Sequence, residues 1–128
     1  MEVWEKAVRN SHHFLTEQDL NYYRSRVKNV YLQTVEIHTI KKQRRIVAFM
    51  GLSDEMVEML FVLPPKQGNG YGSALLDFAL TEKHINKIDV NEQNTEALHF
   101  YLHRGYKVKG RDETDADGKT YPILHIEK

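Results

Sequence analysis

The segment that most constrains the fold is residues 60–80, LFVLPPKQGNGYGSALLDFAL. Gly68, Gly70 and Gly72 stand at every second position between an apolar run typical of a β-strand and a run with helical spacing. Glycine is disfavoured inside either element, so the pattern predicts a strand, a glycine turn and a helix. Such a turn leaves bare backbone N–H groups and the positive end of the helix dipole facing outwards. Both features favour an anion, most often a phosphate.

The hydrophobic periodicity of the remaining chain predicts further helices and strands. One helix is predicted over residues 3–10, and a longer one over 16–35 begins with Thr16 as its N-cap. Two more are predicted at 75–82 and 94–103, the second ending at Gly105 in the left-handed conformation. Strands are predicted at 35–40, 46–52, 56–63 and 87–90, followed by a hairpin of 106–113 and 120–128. We therefore expect one mixed α/β domain over residues 1–128.

Composition excludes several classes of function. Lys and Arg total 18 and Asp and Glu total 18, so the chain lacks the basic excess typical of proteins that bind nucleic acid or anionic membranes. The absence of cysteine excludes disulfides and thiolate metal sites. His99 and His103 have the i, i+4 spacing of metal ligands, but no H-E-x-x-H pattern accompanies them, and we expect no metal. Without an apolar run of about 20 residues or a signal-peptide core, a soluble cytoplasmic protein is expected.

Three sequence patterns of phosphate-binding loops are candidates for the glycine segment. The P-loop pattern fails because no Gly-Lys pair follows, and the Rossmann pattern fails because Ser73 stands where its last glycine belongs. The remaining pattern, Q-x-x-G-x-G at residues 67–72, resembles the pyrophosphate loop of the GNAT superfamily of acyl-coenzyme A dependent N-acyltransferases.

A second motif and the N-terminus carry the same resemblance. The family signature N-x-x-A-x-x-F-Y-x-x-x-G-[FY] is matched at Asn94, Ala97, Phe100, Tyr101, Gly105 and Tyr106. The N-terminal VWEKAVRNSHHFL resembles the first helix of the small bacterial YjaB-like branch. The resemblance implies an α/β (α+β) fold with helices on both faces of a mixed central sheet, in which two parallel strands, here 56–63 and 87–90, splay apart.

The resemblance also implies acetyl-coenzyme A as the cosubstrate. Its pantetheine arm would pair with the backbone of Phe61 and Val62, in the manner of an added strand. Asn94 matches a cofactor-contacting residue and is also a natural helix N-cap. Lys66 would supply the positive charge that relatives often place at the first loop position as arginine. The diphosphate would rest on the loop that comprises Gln67, Gly68, Asn69, Gly70, Tyr71, Gly72 and Ser73.

The same resemblance assigns catalytic candidates. A lysine-like amine has a pKa of about 10.4, so holding it neutral at pH 7 costs about 4 to 5 kcal/mol and calls for a base. Glu58 is the first candidate. Asp89 is either a second base or the partner of a surface lysine such as Lys83 or Lys87, and we favour the second interpretation. His12 is a proton relay or a structural histidine, with the structural role favoured.

Tyr101 matches the family tyrosine beside the cofactor sulfur. Its intrinsic pKa of about 10 exceeds the value of about 8.5 for a thiol, so full proton transfer to a thiolate is uphill by roughly 2 kcal/mol. We therefore expect Tyr101 to donate a hydrogen bond and to become a general acid only if its pKa is lowered. The amine would attack the thioester directly, because no cysteine can form an acyl-enzyme.

Two expectations concern partners. Family members usually begin with a strand before the first helix, and this sequence shows none. Either the fold tolerates the loss of an edge strand, or the given sequence starts downstream of the natural start, or a second copy of the chain supplies the edge. An exposed edge predicts a tendency to form a homodimer. The acceptor is a small-molecule or protein amine. Two alternatives to an N-acetyltransferase are a noncatalytic acyl-coenzyme A binding or sensing module and a nucleotide-binding regulator.

Overall fold

The structure, a computed structural model, describes residues 1–128 except for the side chain at position 65. The chain divides into two compact units, Met1–Ile85 and Asn86–Lys128. No helix among the described residues is both long and apolar enough to cross a membrane.

The first unit contains three helices and a three-stranded sheet. Its helices are α1 (Glu2–Ser11), α2 (Glu17–Asn29) and α3 (Tyr71–Glu82), and its strands are β1 (Glu36–Lys42), β2 (Arg45–Leu52) and β3 (Val57–Val62). Single 3-10 turns lie at Tyr31–Gln33 and Pro64–Lys66. Consecutive strands pair antiparallel, so the unit is a β-meander flanked by helices.

The core of this unit lies between the sheet and the first two helices. Phe49 of β2 and Met59 of β3 face these two helices, and α3 packs against the opposite face. Burial on both faces explains why β2 is apolar almost throughout. On the opposite face the ring of Phe78 in α3 lies 4.7 Å from the ring of His38 in β1. The buried cluster on the helix side contains Val3, Trp4, Val8, Leu20, Val27, Phe49, Met59 and Leu63.

An exposed ion pair lies at each end of α1, and a two-residue turn forms the tip of the first hairpin. Arg45 at the start of β2 donates from Nε to Glu2 at 2.9 Å, and Arg9 near the end of α1 pairs with Glu17 at 2.9 Å. The β1–β2 turn has two central residues, Gln43 and Arg44, with φ of 51° and 64°. Positive φ at both positions gives the backbone twist that a two-residue hairpin loop requires.

The second unit is a three-stranded sheet with one helix. It contains β4 (Lys87–Asn91), α4 (Thr95–His103), β5 (Lys107–Asp112) and β6 (Ile123–Glu127). β6 lies between β4 and β5 and is antiparallel to both. The buried residues of the unit include Ile88, Val90, Tyr101, Tyr106, Leu124 and Ile126.

Most predicted elements are present, with their boundaries shifted by a few residues. Thr16 caps α2 by accepting from the N–H of Asp19 at 3.0 Å, as the sequence predicts. Gly105 follows α4 at φ 91°, in the left-handed conformation. The helix predicted over 16–35 is wrong beyond Asn29, because the backbone leaves the helical region at Val30 and continues as a 3-10 turn.

Candidate active site

The glycine segment folds as the sequence predicts, into a tight loop that opens α3. Gly68 and Gly70 have φ of 86° and 81°, a conformation that other residues adopt only at a cost. A Cβ atom added at either position would meet no protein atom within 4 Å. The side chain of Asn69 braces the loop by donating to the carbonyl of Lys66 at 2.9 Å. Both glycines are therefore required by the backbone angle and border open space.

The backbone amides at the start of α3 are available to a ligand. Gly70 is the N-cap of α3 and supplies no side-chain hydrogen bond, and the first helical bond runs from Ala74 N to Gly70 O at 2.9 Å. Within the described part of the chain, the amides of residues 68–72 donate to no other protein group. Unpaired amides at a helix N-terminus form an anion site, particularly when the helix dipole adds to them.

The charges around the loop also suit an anion. The first turn of α3 carries no acidic residue. Lys66 closes the preceding 3-10 turn, and the Lys42 ammonium lies 5.8 Å from the centre of the Tyr71 ring. Gln67, which carries no charge, directs its Nε2 towards the carbonyl of Val62 at 3.5 Å. The loop thus offers backbone dipoles to an anion, with lysine charges near it.

Strand pairing points the backbone groups of Phe61 and Val62, both expected to bind the pantetheine arm, in opposite directions. Leu63 N donates to Val47 O at 2.8 Å, and backbone direction alternates along an antiparallel strand. The N–H and C=O of Phe61 therefore point towards β2, whereas those of Val62 point away from it. The expectation for Phe61 is corrected accordingly, because its backbone groups are used in the β2–β3 ladder.

Two catalytic candidates lie in the first unit. Glu58 is exposed on β3 and forms no ion pair among the described residues. His12 follows α1 and is half-buried, and this burial, with a smaller effect of His13, lowers its pKa from 6.5 to about 4. The His12 imidazole is therefore neutral at pH 7 and weakly basic.

A hydrogen-bond chain fixes the tautomer of His12. The hydroxyl of Ser11 donates to the carbonyl of Ala7 at 2.8 Å, and the same oxygen lies 2.7 Å from His12 Nδ1. Because a hydroxyl has one hydrogen, Nδ1–H must donate to Ser11 Oγ. The lone pair of the neutral imidazole is then on Nε2. The sequence pattern singled out His12 but gave no indication of the role of Ser11.

In the second unit, Tyr101 lies on α4 and is 6% exposed. Its ring contacts those of Phe100 and Tyr106, at centroid distances of 5.4 and 5.9 Å. Burial, and to a lesser extent Tyr106, raises the pKa of Tyr101 above its usual value. Tyr101 would need a lowered pKa to act as a general acid, and the structure contradicts this. The phenol stays neutral and can donate a hydrogen bond.

Asn94 occupies the N-cap of α4. Its side-chain oxygen accepts from the N–H of Ala97 at 3.3 Å, and the residue is 8% exposed. The capping role expected from the sequence is confirmed. Capping uses Oδ1 and leaves the side-chain amide hydrogens for another acceptor.

Asp89 has a partner that the sequence did not suggest. Its carboxylate lies 2.7 Å from Nδ1 of His125 on β6, and Asp112 on β5 lies 2.7 Å from Nε2 of the same ring. The expected pairing with a surface lysine is therefore wrong. The hydrogen bonds that the ring donates to Asp89 and, with a smaller effect, to Asp112 raise the pKa of His125. These residues lie next to one another only because β6 lies between β4 and β5, an order that local sequence does not reveal.

Comparisons with known proteins agree with this arrangement. Residues 5–122 match the family described as "Acetyltransferase (GNAT) domain". Peptidyl-lysine N-acetyltransferase YjaB of Salmonella typhimurium is 36% identical over 97% of this chain and 86% of that protein. The solution structure of apo YjaB from Escherichia coli has a TM-score of 0.89 at 32% identity and covers 98% of this chain and 85% of that one. PaiA N-acetyltransferase from Thermoplasma acidophilum, in complex with coenzyme A, shares the fold at a TM-score of 0.70 and 16% identity, over 99% of this chain and 89% of that one.

Proposed function

The chain belongs to the GNAT family of acetyltransferases, and on that premise we propose that it acetylates lysine side chains of proteins, with acetyl-coenzyme A as the acetyl donor. Acetyl transfer to an amine, the enzyme class and the mixed α/β fold expected from the sequence are confirmed by this membership. The lysine acceptor is the part that is proposed. It is supported by the 36% identity to a peptidyl-lysine N-acetyltransferase over nearly the whole chain.

The observation that carries the proposal is the row of unpaired amides at residues 68–72. Acetyl-coenzyme A supplies the activated acetyl group as a thioester. The loop amides and the α3 dipole would hold its diphosphate, and the outward backbone groups of Val62 would pair with an amide of its pantetheine arm. Gly68 and Gly70 would allow the close approach that side chains prevent.

We assign the base to Glu58. Its carboxylate is exposed and forms no ion pair among the described residues, so it can accept a proton from the acceptor ammonium directly or through water. Asp89 is occupied by His125, and His12 has a pKa of about 4, which makes it a weaker base than an ordinary imidazole.

Tyr101 would donate a hydrogen bond to the sulfur as negative charge develops on it. Its pKa is raised by burial, so complete transfer of its proton would cost more than the roughly 2 kcal/mol calculated for an exposed tyrosine. A donor that keeps its proton still stabilises a developing anion, which is the role of oxyanion-hole groups.

A peptide panel tests the acceptor. Thiol release from acetyl-coenzyme A should occur with a lysine peptide, whereas the same peptide with arginine in place of lysine should be inert. Activity with small amines but with no lysine peptide would overturn the lysine assignment. Coenzyme A binding without turnover on any amine would instead favour a noncatalytic binding module.

Two glycine variants test the loop. Gly70 and Gly118 have φ of 81° and 78°, and neither has a protein atom within 4 Å of an added Cβ. Gly70→Ala and Gly118→Ala should therefore have similar backbone costs, about 1 kcal/mol each. Calorimetry should show at least tenfold weaker coenzyme A binding for Gly70→Ala alone. Equal affinities for the two variants would remove the loop from the binding site.

A further inference from the structure

The β1–β2 hairpin and the glycine loop, residues 67–73, leave the sheet of the first unit at the same end. Lys42, the last residue of β1, lies opposite Arg45, the first residue of β2. Further along β2, Ala48 lies opposite Val62, the last residue of β3. The chain then continues from β3 through the 3-10 turn into the glycine loop. The tip of the hairpin therefore lies at the end of the sheet where the coenzyme A diphosphate would bind.

The helix α3 runs back along β1 and begins beside the hairpin tip. The Lys42 ammonium lies 5.8 Å from the centre of the Tyr71 ring, at the first residue of the helix. Further along the helix, the centre of the Phe78 ring lies 4.7 Å from that of the His38 ring. Because side chains alternate along a strand, Lys42 shares the α3 face of β1 with His38, whereas Lys41 lies on the opposite face. The strand thus places one ammonium group at the N-terminus of α3.

The positive charge of Lys42 is not balanced by an acidic side chain. Among the described residues Lys42 forms no ion pair, whereas Arg45 opposite it pairs with Glu2. The first turn of α3 carries no acidic residue either. A lysine ammonium has three N–H donors, and a contact with one aromatic ring leaves donors for another acceptor. The exposed ammonium of Lys42 can therefore bind an anion that lies at the start of α3.

Coenzyme A carries two chemically different phosphate groups. Its diphosphate links the pantetheine arm to the adenosine, whereas its 3′-phosphate is a monoester on the ribose, with a charge of about −1.5 to −2 at pH 7. Backbone dipoles at a helix N-terminus suit the diphosphate. A compact dianion gains more from a full positive charge, because charge-assisted hydrogen bonds are the stronger ones. Lys42 supplies such a charge beside the glycine loop rather than within it.

We propose that Lys42 binds the 3′-phosphate of coenzyme A and so makes this chain selective for acetyl-coenzyme A over its 3′-dephospho form. The Tyr71 ring would hold the ammonium at the start of α3, which reduces the side-chain entropy lost on binding. The proposal rests on acetyl-coenzyme A as the donor in the proposed function. It does not depend on lysine as the acceptor.

Calorimetry with coenzyme A and with 3′-dephospho-coenzyme A tests the proposal. At low ionic strength the wild-type chain should bind coenzyme A about tenfold more tightly, which is the effect of one charge-assisted hydrogen bond. In Lys42→Gln this preference should fall to within about twofold, because only the binding of coenzyme A is weakened. Each preference compares two ligands on one protein, so a general loss of structure does not imitate the result.

Two control variants assign the effect to Lys42. Lys41→Gln removes another exposed charge from the opposite face of the same strand and should keep the tenfold preference. Gly70→Ala should weaken both ligands by a similar factor, because it acts on the loop that would hold the diphosphate. Equal binding of the two ligands by the wild type overturns this proposal alone. So does a preference that Lys42→Gln leaves intact, or one that Lys41→Gln lowers to the same extent. A wild type that binds neither ligand overturns the coenzyme A loop as well.

Discussion

Burial of His12 should make the folded protein sensitive to mild acid. The pKa of His12 falls from 6.5 to about 4 on folding, and a pKa difference of one between the folded and unfolded states corresponds to about 1.36 kcal/mol. Because the folded-state pKa is the lower one, the unfolded chain binds the proton first. The stabilisation is present above pH 6.5 and is lost progressively as the pH falls to 4. Between pH 7 and pH 5 this residue should reduce the free energy of unfolding by about 2 kcal/mol.

Urea denaturation at pH 7 and pH 5 measures this effect in the wild type and in His12→Gln. His125 has a raised pKa and acts with the opposite sign, since its contribution is lost as the pH rises through that pKa. Comparing the two proteins removes that background. The pH-dependent loss should be smaller by about 2 kcal/mol in His12→Gln, while His13→Gln, at an exposed neighbour, should behave like wild type. Equal losses in wild type and His12→Gln would refute the burial argument.

Three further predictions concern the catalytic candidates. Tyr101→Phe should lower kcat at least tenfold, because the hydrogen bond to the developing thiolate is lost, and should leave KM for acetyl-coenzyme A within about threefold of wild type. An unchanged kcat in a thiol-release assay excludes that role. Glu58→Gln should lower kcat/KM for the amine at least tenfold, because the group that accepts the proton of the acceptor ammonium is lost. An unchanged kcat/KM assigns the base elsewhere. Asp89→Asn should lower the pKa of His125 in an NMR titration, because one of its two carboxylate partners is lost; no change would contradict the pairing.

Local signals in the sequence were sufficient for the caps and the glycine loop. Thr16, Asn94 and Gly105 act through bonds or backbone angles within a few residues, so their roles can be read without knowing the fold. The positive φ of Gly68 and Gly70 is local in the same sense. Two motifs in the right order were then sufficient to indicate the family.

The properties of the ionisable side chains could not be predicted in this way. The partner of Asp89 depends on which strands are adjacent, and His125 is 36 residues away in the sequence. The pKa of His12 depends on desolvation by the fold around it. The pKa of Tyr101 is raised for the same reason, which reversed the condition set for an acid role. The direction in which the N–H and C=O of Phe61 point depends on the register of β2 against β3, which the sequence does not reveal.

The tip of the β1–β2 hairpin, residues 41–45, combines a demanding backbone with four cationic side chains, those of Lys41, Lys42, Arg44 and Arg45. Asparagine and glycine would adopt the turn more readily, so positive charge is kept here at a conformational cost. Ionic strength then acts on the tip in two opposite ways. Dissolved salt screens the mutual repulsion of the cations and favours the closed turn, yet it also weakens the exposed Arg45–Glu2 pair that ties the tip to α1.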